Sequence, residues 1–268
     1  MPTALFISPH LDDVAFSCAG TLMRLAQEGW ETRLLTVFTA TVPHPQGFAL
    51  HCQTDKGLGP EEDYMALRRD EDAEFAQIVG VRHNTHWTFP EAPHRGYESP
   101  ADLFAGIHAG DEVWRAIAER LRDLTAATLP QVVFAPQGLG SHVDHLQVIR
   151  AVGEAGLGPR TVWYRDTPYA IREPDARPAA GLPAGLQERV VGINGVLERK
   201  IAGCCAYASQ VGFQFGGVGE VGPKLTDFHQ AEARQSVCEC CAERLLLPEG
   251  MTLPEGMTLL EDDRATGP

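Results

Sequence analysis

Thr3-Ala4-Leu5-Phe6-Ile7-Ser8-Pro9-His10-Leu11-Asp12-Asp13 opens with a short apolar run that breaks at once into a histidine and paired aspartates. Leu5-Phe6-Ile7 predicts a buried strand. Residues 12–27 predict a helix, because Ala15, Cys18, Ala19, Leu22 and Leu25 recur at helical spacing. A strand running into a helix, with polar side chains at the junction, is the first unit of an α/β fold.

The alternation continues outward from this unit. Residues 33–38 predict a second strand, 61–79 a helix closed by Gly80, and 85–89 a third strand. Residues 111–124 predict a helix with Asp111 as its N-cap, 132–135 a fourth strand, 142–153 a helix and 161–164 a fifth strand. Residues 41–59 and 90–110 carry no period and are expected as loops. Further on, the pattern predicts a strand at 189–193, a helix at 195–210, a glycine-rich loop at 216–223 and a last helix at 227–246. Leu-Pro-Glu-Gly-Met-Thr stands twice, at 247–252 and 253–258, too short to be a solenoid unit. The expected fold is Rossmann-like α/β: a mostly parallel sheet with helices on both faces, in three layers. One domain over 1–268 is expected, with a core at 1–170, C-terminal elements at 171–246 packed on it and an irregular tail at 247–268.

The chain has 268 residues, 44% hydrophobic and 22% charged, enough for a buried core and too apolar for general disorder. A net charge of -14 repels phosphate backbones, so nucleic acid is not an expected partner. No stretch approaches the roughly 20 apolar residues of a membrane span, and no signal peptide is visible. Seven cysteines, an odd number in a chain this large, favour reduced thiols and a cytoplasmic location. No pattern fixes an oligomeric state.

The chemistry concentrates in two segments. One is Pro9-His10-Leu11-Asp12-Asp13, after strand one. The other is Gly140-Ser141-His142-Val143-Asp144-His145, after strand four. If the strand order is 3-2-1-4-5, strands one and four are neighbours at the switch point, and the segments face each other across the crevice. Imidazole and carboxylate are ordinary zinc ligands, and three of them plus a water make a catalytic site. The aspartate pair allows one carboxylate to ligate while its neighbour serves as general base. Taken singly, Asp12 and His142 could be no more than helix caps, and His145 a surface residue.

At these residues the sequence resembles the PIG-L/LmbE family of metal-dependent N-acetyl-sugar deacetylases, over roughly residues 3–210. Weaker echoes are Arg68 and Glu71, similar to an Arg-x-x-Glu helix, the stretch Tyr164-Arg165-Asp166-Thr167-Pro168-Tyr169, and Lys200 followed by Tyr207-Ala208-Ser209-Gln210. The resemblance implies His10, Asp13 and His145 as metal ligands. It implies Asp12 as general base on a metal-bound water, His142 as oxyanion stabiliser or proton donor, and Asp144 as the group orienting a histidine. Leu11 and Ala15 depart from members acting on small thiol-precursor glycosides, which carry Pro and Glu there. That departure leaves the substrate open.

Arg68 is a candidate substrate contact, with a helix-surface pair to Asp72 as the alternative. His94 and Arg95, in the loop after strand three, are candidate contacts in the substrate wall. Cys238-Glu239-Cys240-Cys241 with Cys204-Cys205 fits no common zinc spacing. His83 and His86 point apart if they lie in a strand, and are not counted as ligands. No Gly-x-Gly-x-x-Gly follows strand one. The expected activity is removal of an N-acetyl group from an N-acetylglucosamine-type sugar or glycoconjugate, with Zn2+ as cofactor and other divalent metals admissible. Its rivals are another metal-assisted hydrolase, of an ester, amide or phosphorylated small molecule, and a non-catalytic metal- or sugar-binding protein of the same fold.

Overall fold

The computed structural model describes residues 1–233 and 241–253. In chain order the elements are β1 (Thr3–Ser8), α1 (Asp13–Gln27), β2 (Glu31–Thr36), α2 (Gly47–Thr54), α3 (Tyr64–Val79), β3 (His83–His86), α4 (Val113–Thr128) and β4 (Val132–Pro136). They continue with α5 (Val143–Glu154), β5 (Thr161–Tyr164), the single turn α6 (Tyr169–Arg172), β6 (Gln187–Gly192), α7 (Leu197–Cys205), α8 (Ala208–Phe215), α9 (Val218–Ala233) and β7 (Ala242–Leu247).

The described strands form one sheet in the order β3-β2-β1-β4-β5-β7-β6. β1 to β5 run parallel, and β7 is antiparallel to both β5 and β6. Strand alternation feeds two apolar layers. Ala4 and Phe6 of β1, Val132 and Phe134 of β4, and Val162 and Tyr164 of β5 face one core with α1, α3, α7, α8 and α9. Leu5, Ile7, Val133, Ala135 and Trp163 face the other, beneath α4 and α5. A sheet buried on both faces explains why these strands read as continuous apolar runs. β1 leads outward to β2 and β3, and the chain then crosses back to place β4 on the other side of β1. The switch point therefore lies between β1 and β4, as the expected strand order requires.

Several sequence expectations need correction. The expected loop at 41–59 contains α2, which buries Ala49 and Gln53, one helical turn apart. The third strand covers His83–His86, earlier than expected, and Thr88 only bridges to Phe38. The helix expected from Asp111 starts at Val113, whose N–H the Asp111 side chain accepts at 3.4 Å while also bonding Arg95. The helix expected at 195–210 is two helices, α7 and α8. The loop expected at 216–223 lies mostly inside α9, Pro223 included, where burial of Val221 and Leu225 outweighs poor helix propensity. The helix expected at 227–246 ends at Ala233 as described, and 242–247 is a strand. There Leu245 and Leu247 join one core while Leu246 packs against the other, a period of two. The second tail repeat and Cys238 and Cys240 lie outside the described residues. The five described cysteines are unpaired. No described helix is long and apolar enough to cross a membrane.

β7 also reaches beneath α1. Cys18 departs from helical dihedrals, and the Glu243 carboxylate accepts the N–H groups of Gly20 (2.9 Å) and Thr21 (2.7 Å). A Cβ on Gly20 would meet Glu243 Oε1 at 2.7 Å, so only glycine admits this approach. Lys200 Nζ donates to Glu243 Oε1 at 2.7 Å, and both side chains are buried. Removing one member of such a pair strands the other's charge. Lys200→Met is expected to lower unfolding free energy in urea by about 3–5 kcal/mol. A loss under about 1 kcal/mol would show that the charge is compensated from elsewhere.

Candidate active site

The turn between β1 and α1 is fixed by Ser8, whose Oγ donates to the His10 carbonyl (2.7 Å) and accepts the Val14 N–H (3.1 Å). Asp12 occupies the N-cap position of α1 at φ 156° and ψ -25°, yet its side chain caps nothing. A non-glycine residue in so sparse a region stores about 1–3 kcal/mol and is held by its surroundings. Its carboxylate is thereby left facing the crevice. Asp13 Oδ2 turns back and accepts the His10 backbone N–H at 2.7 Å.

On the other side, the chain leaves β4 through Gly138 and Gly140, both in the left-handed region. A Cβ on Gly140 would lie 2.7 Å from the Tyr169 ring. His142 then caps α5, its Nδ1 accepting the Asp144 N–H at 3.2 Å. Capping and a place in the site are thus the same act, and His142 Nε2 carries the ring proton.

The two segments meet. Asp13 Oδ2 lies 3.4 Å from His10 Nδ1 and 3.4 Å from His145 Nε2. Bonds of roughly 2.1 Å to a tetrahedral zinc put donor atoms about 3.4 Å apart, a separation that both of these pairs match. His145 Nε2 is buried and has no hydrogen-bond partner. Nitrogens of His10, His142 and His145 also lie within 4.8 Å of one another, a looser three-histidine grouping. The tighter spacing favours Asp13 over His142 as the third ligand. Each of these two imidazoles is anchored by its other nitrogen: His10 Nε2 on Asp144 Oδ2 at 2.9 Å, and His145 Nδ1 on Asp166 Oδ1 at 2.5 Å.

The floor is densely charged. Burial pushes the Asp12 carboxyl up to about 7, against the pull of the Arg68 guanidinium. Burial acts the same way on Asp13 and Asp144, but His145 and His10 hold Asp13, and Arg95 with His10 hold Asp144, well below the usual carboxylate range. Burial opposes charge on His145, yet Asp13 and Asp166 raise it to about 9. Burial, reinforced by neighbouring His10, lowers His142 to about 3, so its ring is neutral at neutral pH.

The crevice above has a volume of about 330 Å³ and is walled by Phe48, Leu103, Phe104, Tyr169 and Phe213. Arg68 lines it, while the alternative pair to Asp72 does not form. Its Nη1 donates to Glu91 Oε1 (2.6 Å) and its Nη2 lies 3.8 Å from Asp12 Oδ1, while Asp72 bonds Tyr207, His86 and Asn84. His94 is half-buried in a neighbouring cavity that shares Tyr64, Glu91 and Pro93 with the crevice. Arg95 does not line the crevice. It lies beneath it, its guanidinium engaged by Asp111, Asp144 and the Pro90 carbonyl. Sequence reading gave no role to Asp166 or Glu91. Asp166 stood in a quoted motif two residues past β5, and the carboxyl end of a strand beside β4 was the available signal.

Comparison with known proteins matches residues 5–156 to the PIG-L family, described as GlcNAc-PI de-N-acetylase. A 2'-N-acetylparomamine deacetylase of Streptomyces fradiae is 35% identical over 217 residues, covering 77% of this chain and 72% of that protein. The solved structure of the zinc-inhibited form of teicoplanin deacetylase Orf2 superposes with a TM-score of 0.78 at 23% identity, over 93% of this chain and 100% of that one. That of the A40926 pseudoaglycone deacetylase Dbv21 gives 0.73 at 26% identity, over 91% and 96%.

Because Asp166 fixes the ring plane and tautomer of His145, Asp166→Ala is expected to weaken divalent-metal binding by about 10–100-fold. Competition with a chromogenic chelator measures this. Affinity within twofold of the unaltered protein would remove Asp166 from the site's support.

Proposed function

The chain belongs to the PIG-L family and is an N-deacetylase, and from that premise we propose that it releases acetate from an N-acetylated amino sugar of an aminoglycoside-type glycoside, using a divalent metal ion, Zn2+ first among the candidates. The observation that carries the metal reading is the buried meeting of His10, Asp13 and His145 at 3.4 Å spacing, with His145 Nε2 unpartnered. These three residues would hold the ion. When bound, it would supply Lewis acidity, polarising the acetyl carbonyl and lowering the pKa of water.

The remaining work falls to the chain's own groups. Asp12, uncapped and raised to about 7, takes the proton from the attacking water, since a base titrating near neutrality balances availability against strength. The same carboxyl then returns that proton to the departing amine nitrogen. His142 is neutral and protonated on Nε2, so it donates a hydrogen bond to the oxygen that gains charge in the tetrahedral intermediate. Asp144 holds His10. Arg68, paired with Glu91 beside Asp12, reaches toward substrate hydroxyls.

The substrate class rests on the 35% identity to the paromamine relative, and the net charge of -14 suits an amine-rich glycoside. The glycopeptide deacetylases among the structural neighbours make an acylated glycopeptide the second reading, favoured by the apolar wall of Phe48, Phe104 and Phe213. Acetate release from 2'-N-acetylparomamine, compared with free N-acetylglucosamine and an N-acylated glycopeptide, separates the two. Turnover confined to the glycopeptide would overturn the first reading.

Asp12→Asn is expected to lower kcat by about 10²–10⁴-fold at unchanged metal content. His145→Ala is expected to lose metal and turnover together. Near-normal turnover in Asp12→Asn would sink the general-base assignment.

A further inference from the structure

We propose that Arg95, braced by Asp111, is a positioning residue for His10, acting through Asp144. The proposal rests on the metal reading above and gives a purpose to a buried arginine the mechanism does not otherwise use.

Arg95 is only 8% exposed at its side chain, and its fork spans two carboxylates. Nε lies 3.3 Å and 3.2 Å from the two Asp111 oxygens, and Nη2 lies 3.0 Å from Asp111 Oδ2 and 2.7 Å from Asp144 Oδ1. Nη1 donates to the Pro90 carbonyl at 2.6 Å, and the guanidinium sits 4.8 Å from the centre of the Phe38 ring. Asp111 is itself tied by the Tyr97 hydroxyl at 3.0 Å. Asp144 is fully buried and divides its oxygens: Oδ1 meets Arg95, while Oδ2 meets His10 Nε2 (2.9 Å) and the Ala92 N–H (3.1 Å).

The line Asp111–Arg95–Asp144–His10 therefore ends on the ring nitrogen opposite the one offered to the ion. Asp144 accepts and does not donate, so a proton resides on His10 Nε2, and Nδ1, 3.4 Å from Asp13 Oδ2, is the nitrogen that would be left to the ion. Among the described residues, the Asp144 carboxylate without the fork would be held only by the Ala92 N–H and by His10 itself, both on Oδ2. Arg95 meets Asp144 Oδ1 as an ion pair, and lysine keeps the charge but lacks the planar fork that spans both carboxylates.

The test uses the full-length protein in unaltered, Arg95→Met, Arg95→Lys, Asp144→Ala and Asp144→Ala/Arg95→Met forms. Zinc affinity is read by chelator competition. Thermal melts of the metal-free forms report any loss of fold. Arg95→Met is expected to weaken zinc binding by about 10–100-fold, with Arg95→Lys between it and the unaltered protein. In the Asp144→Ala background the same substitution is expected to change affinity by less than twofold, which a merely structural arginine would not produce. In metal-free protein labelled with ¹⁵N-histidine, at a pH high enough that the His10 ring is neutral, its Nε2–H tautomer is expected to give way to a mixture on Arg95→Met. Unchanged affinity in Arg95→Met, or an equal loss in the Asp144→Ala background, overturns the proposal. If the unaltered protein binds no divalent ion, the metal reading falls, and the His10 tautomer in metal-free protein still decides whether Arg95 acts through Asp144. Should Arg95→Met fail to fold, Arg95→Lys carries the same comparison, and a tautomer and affinity identical to the unaltered protein overturn it.

Discussion

Four carboxylates, those of Asp12, Asp13, Asp144 and Asp166, lie buried in or beside the crevice floor. Uncompensated, such a cluster would protonate or unfold the region around it, because a buried charge is costly unless paired. Each therefore has a cationic or imidazole partner: His145 for Asp13 and Asp166, His10 and Arg95 for Asp144, and Arg68 for Asp12. The partners are unequal. Arg68 stands 3.8 Å from Asp12 and is shared with Glu91, so Asp12 is the least supported of the four and titrates highest among the pairs that face the crevice. Neighbouring aspartates of the same chemistry are pushed apart by environment, which is how one site acquires both a ligand and a base.

That arrangement requires the two strand ends to be held to within a few tenths of an ångström, and much of the holding comes from the C-terminal half. Glu71 accepts the N–H and hydroxyl of Ser209 at 2.7 Å each, and the Tyr207 hydroxyl donates to Asp72 at 2.6 Å, clasping α3 to α8. Lys200 and Glu243 secure the kink in α1. The echoes around Arg68–Glu71 and Tyr207–Gln210 are therefore mainly braces: only Arg68, and the edge of Gln210, reach the crevice.

The crevice wall is built differently. Phe48 lies on α2, Leu103 and Phe104 on the short 3-10 turn Asp102–Phe104, and Phe213 on α8. Phe104 and Phe213 remain substantially exposed. Catalytic groups sit on strand ends and helix starts, whereas the surface that meets the rest of the substrate sits on short elements that can vary without disturbing the floor. Such a division suits a family whose relatives act on glycosides as unlike as paromamine and teicoplanin derivatives.

The sequence by itself located strands β1, β2, β4 and β5 and the two segments proposed to carry the chemistry, and the conditional order 3-2-1-4-5 matched the parallel part of the sheet. Apolar runs and helical periods are local signals, and strand ends fall at predictable places in an α/β sheet. Only the tertiary structure decided that Arg95 supports the floor from below, that Asp166 anchors His145, and that 242–247 is a strand clasping α1. It also decided that 47–54 and 218–233 are helical, against weak local preference. In each case the deciding contact joins residues far apart in the chain, such as Asp166 with His145 or Glu243 with Gly20. Burial and the need to pair charge, which no local pattern encodes, chose the conformation.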